Sequence, residues 1–353
     1  MAYELIGKDF TPPDVRAKVT GQATYSEDFR RDGMLFVKLL TSPMPHARVT
    51  NIDASEALAM PGVEGILTAD EVTEIPFPQD PILTNEPGYV GDPILAVAAV
   101  DEATAAEALE LIRVEYEELP FTVDPLESLF PGGTDARPGG NVVSQGAVQQ
   151  VKWSAQAFAN AGEGELPEGD PALEWSYGDV QSAIEGADLV IDETFVTQSN
   201  AHHSLEPRSA MAYWENGKCY LHASSQSGTF PIPGVARYIG IDPSELVFIA
   251  EYCGGGFGSK GGAYPIVAVP ALMSKKLNNR PVMMRISRHE EYAIGSARHG
   301  FQGRVRLGFR SDGRLVGADL FVVQDNGANA GFSDYMSAGE AVSIVYTPET
   351  MPR

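Results

Sequence analysis

Six glycines fall within twelve residues, EYCGGGFGSKGG at 251–262, and the flanks restrict what the stretch can be. The residues before it, ELVFIAEYC, read as an apolar strand; those after it, AYPIVAVPALMSKKL, keep a helical period despite Pro265 and Pro270. Strand, glycine loop, helix is the order that a phosphate-binding loop requires, because glycines let backbone N–H groups close around an anion at a helix N-terminus. The spelling does not follow. A P-loop needs G-x-x-x-x-G-K-[ST], whereas Lys260 follows Ser259 and precedes Gly261; the dinucleotide fingerprint G-x-G-x-x-G fails too, since Ser259 stands where its third glycine belongs. On spacing alone three readings stay open: a phosphate cradle, a tight structural turn, or a backbone brought close to some other cofactor.

The remaining sequence narrows the function classes. A chain of 353 residues has room for two or three domains with substantial cores. With 25 Lys plus Arg against 48 Asp plus Glu, a net charge of −23, and no basic cluster, it repels nucleic acid. No apolar run approaches the ~20 residues that span a bilayer. The start, MAYELIGKDF, lacks the basic and apolar regions of a signal peptide, so a cytoplasmic protein with no membrane partner is expected. Cys219 and Cys253 fit neither a disulfide framework nor a zinc site and read as two reduced thiols.

Three stretches follow one another. In the first, LFVKLLTS reads as a strand, SEALAMPGV as a short helix stopped at Pro61 and Gly62, and ILAVAAV (94–100) as a buried strand. That strand leads into DEATAAEALELIRVEY, where Ala105, Ala108, Leu109 and Ile112 share one helical face and Asp101 caps the first turn. Residues 1–125 therefore read as a compact α/β domain. Residues 126–178, with LFPGGTDARPGG and AGEGELPEGDP, read as an irregular connecting segment wrapped over a neighbouring surface. From 179 onward strands return with ADLVIDETFVTQ, KCYLHASSQ and ELVFIAEYC, and the chemistry is expected there.

Several motifs in order carry a resemblance. GGGFGSK resembles the glycine-phenylalanine loop in the molybdenum-cofactor subunit of the xanthine dehydrogenase and aldehyde oxidase family. PPDVRAKVTGQATYSEDF, LLTSPMPHARVTNIDASEALAMPGV and YVGDPILAVAA are similar to that family's entry into its hammerhead domain; GDVQSAIEGADLVIDETF, AHHSLEPRSAMAYW and YLHASSQSGTF resemble the start of its first molybdopterin-binding domain. The resemblance implies an α+β chain: an α/β hammerhead domain at 1–125, the connecting segment, and an incomplete, mixed α/β molybdopterin-binding domain at 179–353. It assigns to Gln226 an approach to an oxygen on the molybdenum, and to Gly255, Gly256, Phe257 and Gly258 contact with the cofactor, Phe257 also facing the substrate ring. The blander readings are a strand-end amide tied to backbone for Gln226 and a core side chain for Phe257.

At the position after the loop lysine, purine hydroxylases of the family carry a substrate-binding glutamate; here it is Gly261, so xanthine is not the expected substrate. The resemblance implies oxidation of an aldehyde or N-heterocycle with water as oxygen source. It also implies a molybdopterin cofactor shared with a second molybdopterin-binding chain, and electrons passed to iron–sulfur clusters and FAD on an iron–sulfur subunit and a flavin subunit. The sequence closes at VSIVYTPETMPR, before the family's general-base glutamate, which suits either a split subunit or a truncated reading frame. A non-catalytic scaffold relative and an acidic nucleotide-binding protein are the alternatives. His202 and His203, adjacent on an expected strand, cannot chelate one metal ion. Glu206 reads as a structural partner of Arg208 or backbone, and SRHEEY (287–292) as a solvated face.

Overall fold

The computed structural model describes residues 6–328 apart from 77, 78, 136, 138, 145 and 146; the expected closing part of the third stretch, 329–353, lies outside them. The apolar run at 94–100 forms a strand whose seven residues, Pro93–Ala99, are all buried. Such a strand needs covering on both edges and both faces, and the chain supplies all four. In chain order the strands used below are β1 (Leu35–Thr41), β2 (Val63–Thr68), β3 (Pro93–Ala99), β4 (Leu189–Thr197), β5 (Ser209–Glu215), β6 (Lys218–Ala223), β7 (Leu246–Ile249), β8 (Val282–Arg285), β9 (Gly300–Phe309) and β10 (Leu315–Asp325). The helices used below are α1 (Glu102–Glu110), α2 (Ile232–Ile239), α3 (Val269–Lys276) and α4 (Arg288–Ile294).

Seven strands make one sheet in the order β7-β6-β5-β8-β1-β3-β2, so strands from before and after the connecting segment share it. β1 pairs antiparallel with β3 and parallel with β8, Leu35 opposite Val282. One face packs Val37, Ala212, Leu221 and Met284 against α2 and α3 through Val235, Ile239, Ala271 and Met273. The other face packs Ile94 and Ile66 on Ala108 of α1. Asp101 caps α1 as its sequence suggests, its carboxylate accepting from Thr104 N at 2.7 Å. The helix stops at Glu110, so Ile112 reaches the core from beyond its end. A second sheet, β10-β9-β4, adjoins the connecting segment: Trp153 and Leu129 of that segment pack on Val323 of β10. No helix among the described residues is long and apolar enough to cross a membrane.

His222 on β6 is buried, its ring 4.0 Å from that of Phe29, and burial pushes its pKa down to about 4 from 6.5. Between those two values the unfolded chain binds a proton that the native chain does not, so the His222 contribution to stability falls as pH drops from 6.5 towards 4. The loss approaches ~3 kcal/mol. Asp92 and Asp80, pushed up to about 7 and about 6 by burial, act in the opposite sense, so the measurement is a difference. His222→Phe is expected to lose less stability than the parent chain between pH 7 and 4.5 in urea unfolding; equal losses would refute the assignment.

Candidate functional site

The glycine loop and Gln226 meet because of strand direction. β6 and β7 are parallel, with His222 opposite Ile249, so their C-terminal ends lie side by side. Gln226 follows one end and the loop follows the other. β5 runs antiparallel to β6, which brings Ser204–Arg208, just before it, to the same edge; β8 ends there too, opposite Ser209, and continues into α4.

Within the loop, Gly255 and Gly258 have φ of +108° and +105°, the left-handed region that suits glycine, and Phe257 holds φ +53° between them. Gly256 is glycine for a different reason. A Cβ there would lie 2.1 Å from Gln226 Oε1. Gly258 N donates to Gln226 Oε1 at 3.0 Å, and Gln226 N donates to Lys260 O at 3.1 Å. The Phe257 carbonyl accepts from Arg298 Nη2 at 2.7 Å. Among the described residues the N–H groups of Gly255, Gly256 and Phe257 have no hydrogen-bond partner, a run of donors of the kind that cradles an anionic oxygen. The Phe257 side chain is 67% exposed, so it is no core residue, and Gln226 is exposed as well.

Two buried ion pairs hold this exposed loop from beneath. Lys260, fully buried, donates to Glu206 O at 2.5 Å and Ser224 Oγ at 2.7 Å, and lies 3.7 Å from Glu206 Oε2. Burial lowers its pKa, with Glu206 opposing. Glu206 in turn accepts from Gly254 N at 2.7 Å and Ser26 Oγ at 3.3 Å. Arg208, equally buried, donates through Nη1 and its backbone N to Glu291, and through Nη2 to Ser259 O at 2.5 Å. These contacts decide one expectation and correct another. Of the two partners expected for Glu206 it takes backbone, at Gly254 N, and adds Lys260, not Arg208. Glu291 of SRHEEY is buried, because α4 turns it towards Arg208 while its neighbour Glu290 caps the helix with Ser287. They also withhold the loop's lysine from any phosphate, since Lys260 is spent inside the fold.

The histidine pair is not on a strand: the bridge ends at Ala201, and His203 has φ +52°. His202 Nδ1 lies 2.9 Å from Ser296 O, and burial lowers its pKa. No group of three His, Cys, Asp or Glu among the described residues could hold a metal ion. Both cysteines are free; burial pushes the Cys219 thiol up to about 12 and raises that of Cys253, which disfavours the thiolate form. A cavity of about 980 Å³ lies between the connecting segment and β10, lined by Phe121, Trp153, Trp175 and Phe321, but none of the loop residues or Gln226 reaches it.

Comparison with known proteins gives two family matches. Residues 165–349 match the molybdopterin cofactor-binding domain, and residues 20–120 the a/b hammerhead domain of aldehyde oxidase and xanthine dehydrogenase. The chain is 31% identical over 327 residues to a probable xanthine dehydrogenase subunit of Bacillus subtilis, covering 90% of this chain and 40% of that one. It is 28% identical to the nicotinate dehydrogenase large molybdopterin subunit of Eubacterium barkeri, covering 94% and 72%. The crystal structure of an aldehyde oxidoreductase from Desulfovibrio desulfuricans superposes with a TM-score of 0.77 over 96% of this chain and 36% of that chain, at 23% identity. The chain thus spans less than half the length of the xanthine dehydrogenase relatives it matches.

Proposed function

Because the chain belongs to the aldehyde oxidase and xanthine dehydrogenase family, with its hammerhead and molybdopterin-binding domains, we propose that it supplies one wall of a molybdenum hydroxylase site. The observation that carries this reading is the unpartnered run of N–H groups at 255–257 beside the Gln226 amide, which a side chain at 256 would displace. Those donors fit a cofactor rich in oxygen and sulfur acceptors. When bound, the molybdopterin cofactor supplies the redox centre that takes two electrons from substrate while water supplies the oxygen.

The residues of this chain then divide the work. Gln226 has its oxygen occupied by Gly258 N, so it offers Nε2 as a donor to the metal end of the cofactor. Gly255, Gly256 and Gly258 allow the backbone to come close, and the exposed ring of Phe257 stacks on a flat or carbonyl-bearing substrate. A Cβ at Gly261 would meet Gln226 Nε2 at 3.6 Å, so a side chain at 261 would lie beside the site. Without a carboxylate there, purine nitrogens find no partner, and an aldehyde or a different N-heterocycle is the substrate class. Glu206 and Glu291 are both committed to buried pairs, so neither serves as the general base. That base, and the cover for exposed Leu205, Phe230, Phe257 and Tyr292, come from protein beyond the described residues. Electrons leave to iron–sulfur and flavin groups on partner subunits; the similarity to a protein named as a large molybdopterin subunit supports such an assembly.

The test is purification of the full chain from its native cell with metal analysis. Molybdenum, together with a second cofactor-domain polypeptide and an iron–sulfur chain, is the expected result. A metal-free chain purified alone would favour a scaffold. In the active complex Gln226→Ala is expected to lower turnover ~100-fold, and unchanged turnover would make the residue structural. Turnover of xanthine would overturn the assignment made to Gly261.

A further inference from the structure

The peptide joining Phe257 to Gly258 is held at both ends. Its carbonyl oxygen accepts from Arg298 Nη2 at 2.7 Å, and its N–H donates to Gln226 Oε1 at 3.0 Å. In a trans peptide these two groups point in opposite directions, so bonds at both fix the rotation of the plane. The plane needs fixing, because Phe257 has the left-handed φ of +53° and an aromatic residue holds that conformation only where its surroundings impose it.

Arg298 is itself anchored. The short strands Asn200–Ala201 and Ala297–Arg298 pair with Arg298 opposite Asn200, and Ser199 Oγ donates to Arg298 O at 3.0 Å. The guanidinium packs so closely over the loop that a Cβ on Gly258 would lie 3.2 Å from Nη2. The consequence reaches Gln226. A backbone N–H can be met only by the amide oxygen, so the Gly258 contact directs the Gln226 Nε2 donors away from Gly258 and out of any flipped alternative.

We infer that Arg298 is a positioning residue, which sets the 257–258 peptide and, through it, the face of the Gln226 amide offered to the cofactor. The last step rests on the function proposed above; the clamp itself does not.

Hydrogen exchange on the full chain, in the complex with which it purifies, tests the clamp directly. Arg298→Met is expected to speed exchange at the Gly258 amide roughly tenfold and to shift the melting temperature by no more than about 1 °C, since the side chain is exposed. Arg298→Lys, which keeps a donor, should recover most of the protection. Unchanged exchange in Arg298→Met overturns the inference. In the molybdenum-containing complex, Arg298→Met should lower kcat ~10-fold with little change in KM, and it should add almost nothing to Gln226→Ala. Additive losses would show that Arg298 does not act through Gln226. If no molybdenum co-purifies, the functional reading fails while the exchange result still decides the clamp.

Discussion

Lys260→Met is expected to destabilise the chain by about 3–5 kcal/mol, the range for removing one partner of a buried ion pair. The lysine is fully buried, and its loss leaves the Glu206 carboxylate in the interior with only Gly254 N–H and the Ser26 hydroxyl as partners. For a chain of this size the melting midpoint should fall by about 4–7 °C. Calorimetry of Lys260→Met beside the double variant Lys260→Met, Glu206→Leu separates causes. Apolar replacement of both partners relieves the stranded charge, so the double variant should recover part of the loss. It should not recover all of it, because Gly254 N–H then lacks an acceptor. A single variant within about 1 kcal/mol of the parent would mean that water reaches Glu206 after all.

Gly256→Ala should have the opposite signature, with the fold kept and the site lost. Gly256 does not have a positive φ, so alanine is acceptable to the backbone. The collision is with Gln226 Oε1, 2.1 Å from the new methyl, and with Lys260 Cβ at 3.3 Å. Gln226 is exposed and free to swing away, so the stability cost is only ~1–2 kcal/mol. Its hydrogen bond to Gly258 is then broken and the amide leaves its place. Turnover in the assembled complex is expected to fall about 100-fold, as displacement of a catalytic contact by an ångström does. Combining it with Gln226→Ala should lower turnover no further. Activity within a few-fold of the parent would show that the Gln226 position carries no catalytic weight.

The parts of this architecture that depend on neighbours in sequence were readable in advance. The buried run of β3, the Asp101 cap of α1 and the strand-loop-helix order around 251–262 follow from local pattern. The pairing of β1 with β8 does not, because apolar periodicity says that a strand is buried and not which strand lies beside it. The site divides in the same way. The glycines and Phe257 stand out because their composition is unusual, whereas Lys260, Arg208 and Glu291 look like surface charges. What buries them is the convergence of four segments at one sheet edge, which only the tertiary fold creates. SRHEEY illustrates the point: adjacent glutamates on a helix face different ways, and one caps while the other is buried.

The parallel contact between Leu35 and Val282 also sets a timetable. At about 5–20 residues per second of synthesis, β1 waits roughly 12–50 s for β8 to leave the ribosome. Until then β1, β3 and β2 can form only a three-stranded antiparallel piece whose open edge is β1, with Leu35 and Val37, buried in the finished protein, at that edge. An unpaired apolar edge of that kind is the part of a nascent chain most prone to mispairing. Production of this protein is therefore expected to depend on chaperone cover during elongation more than on the stability of the finished fold.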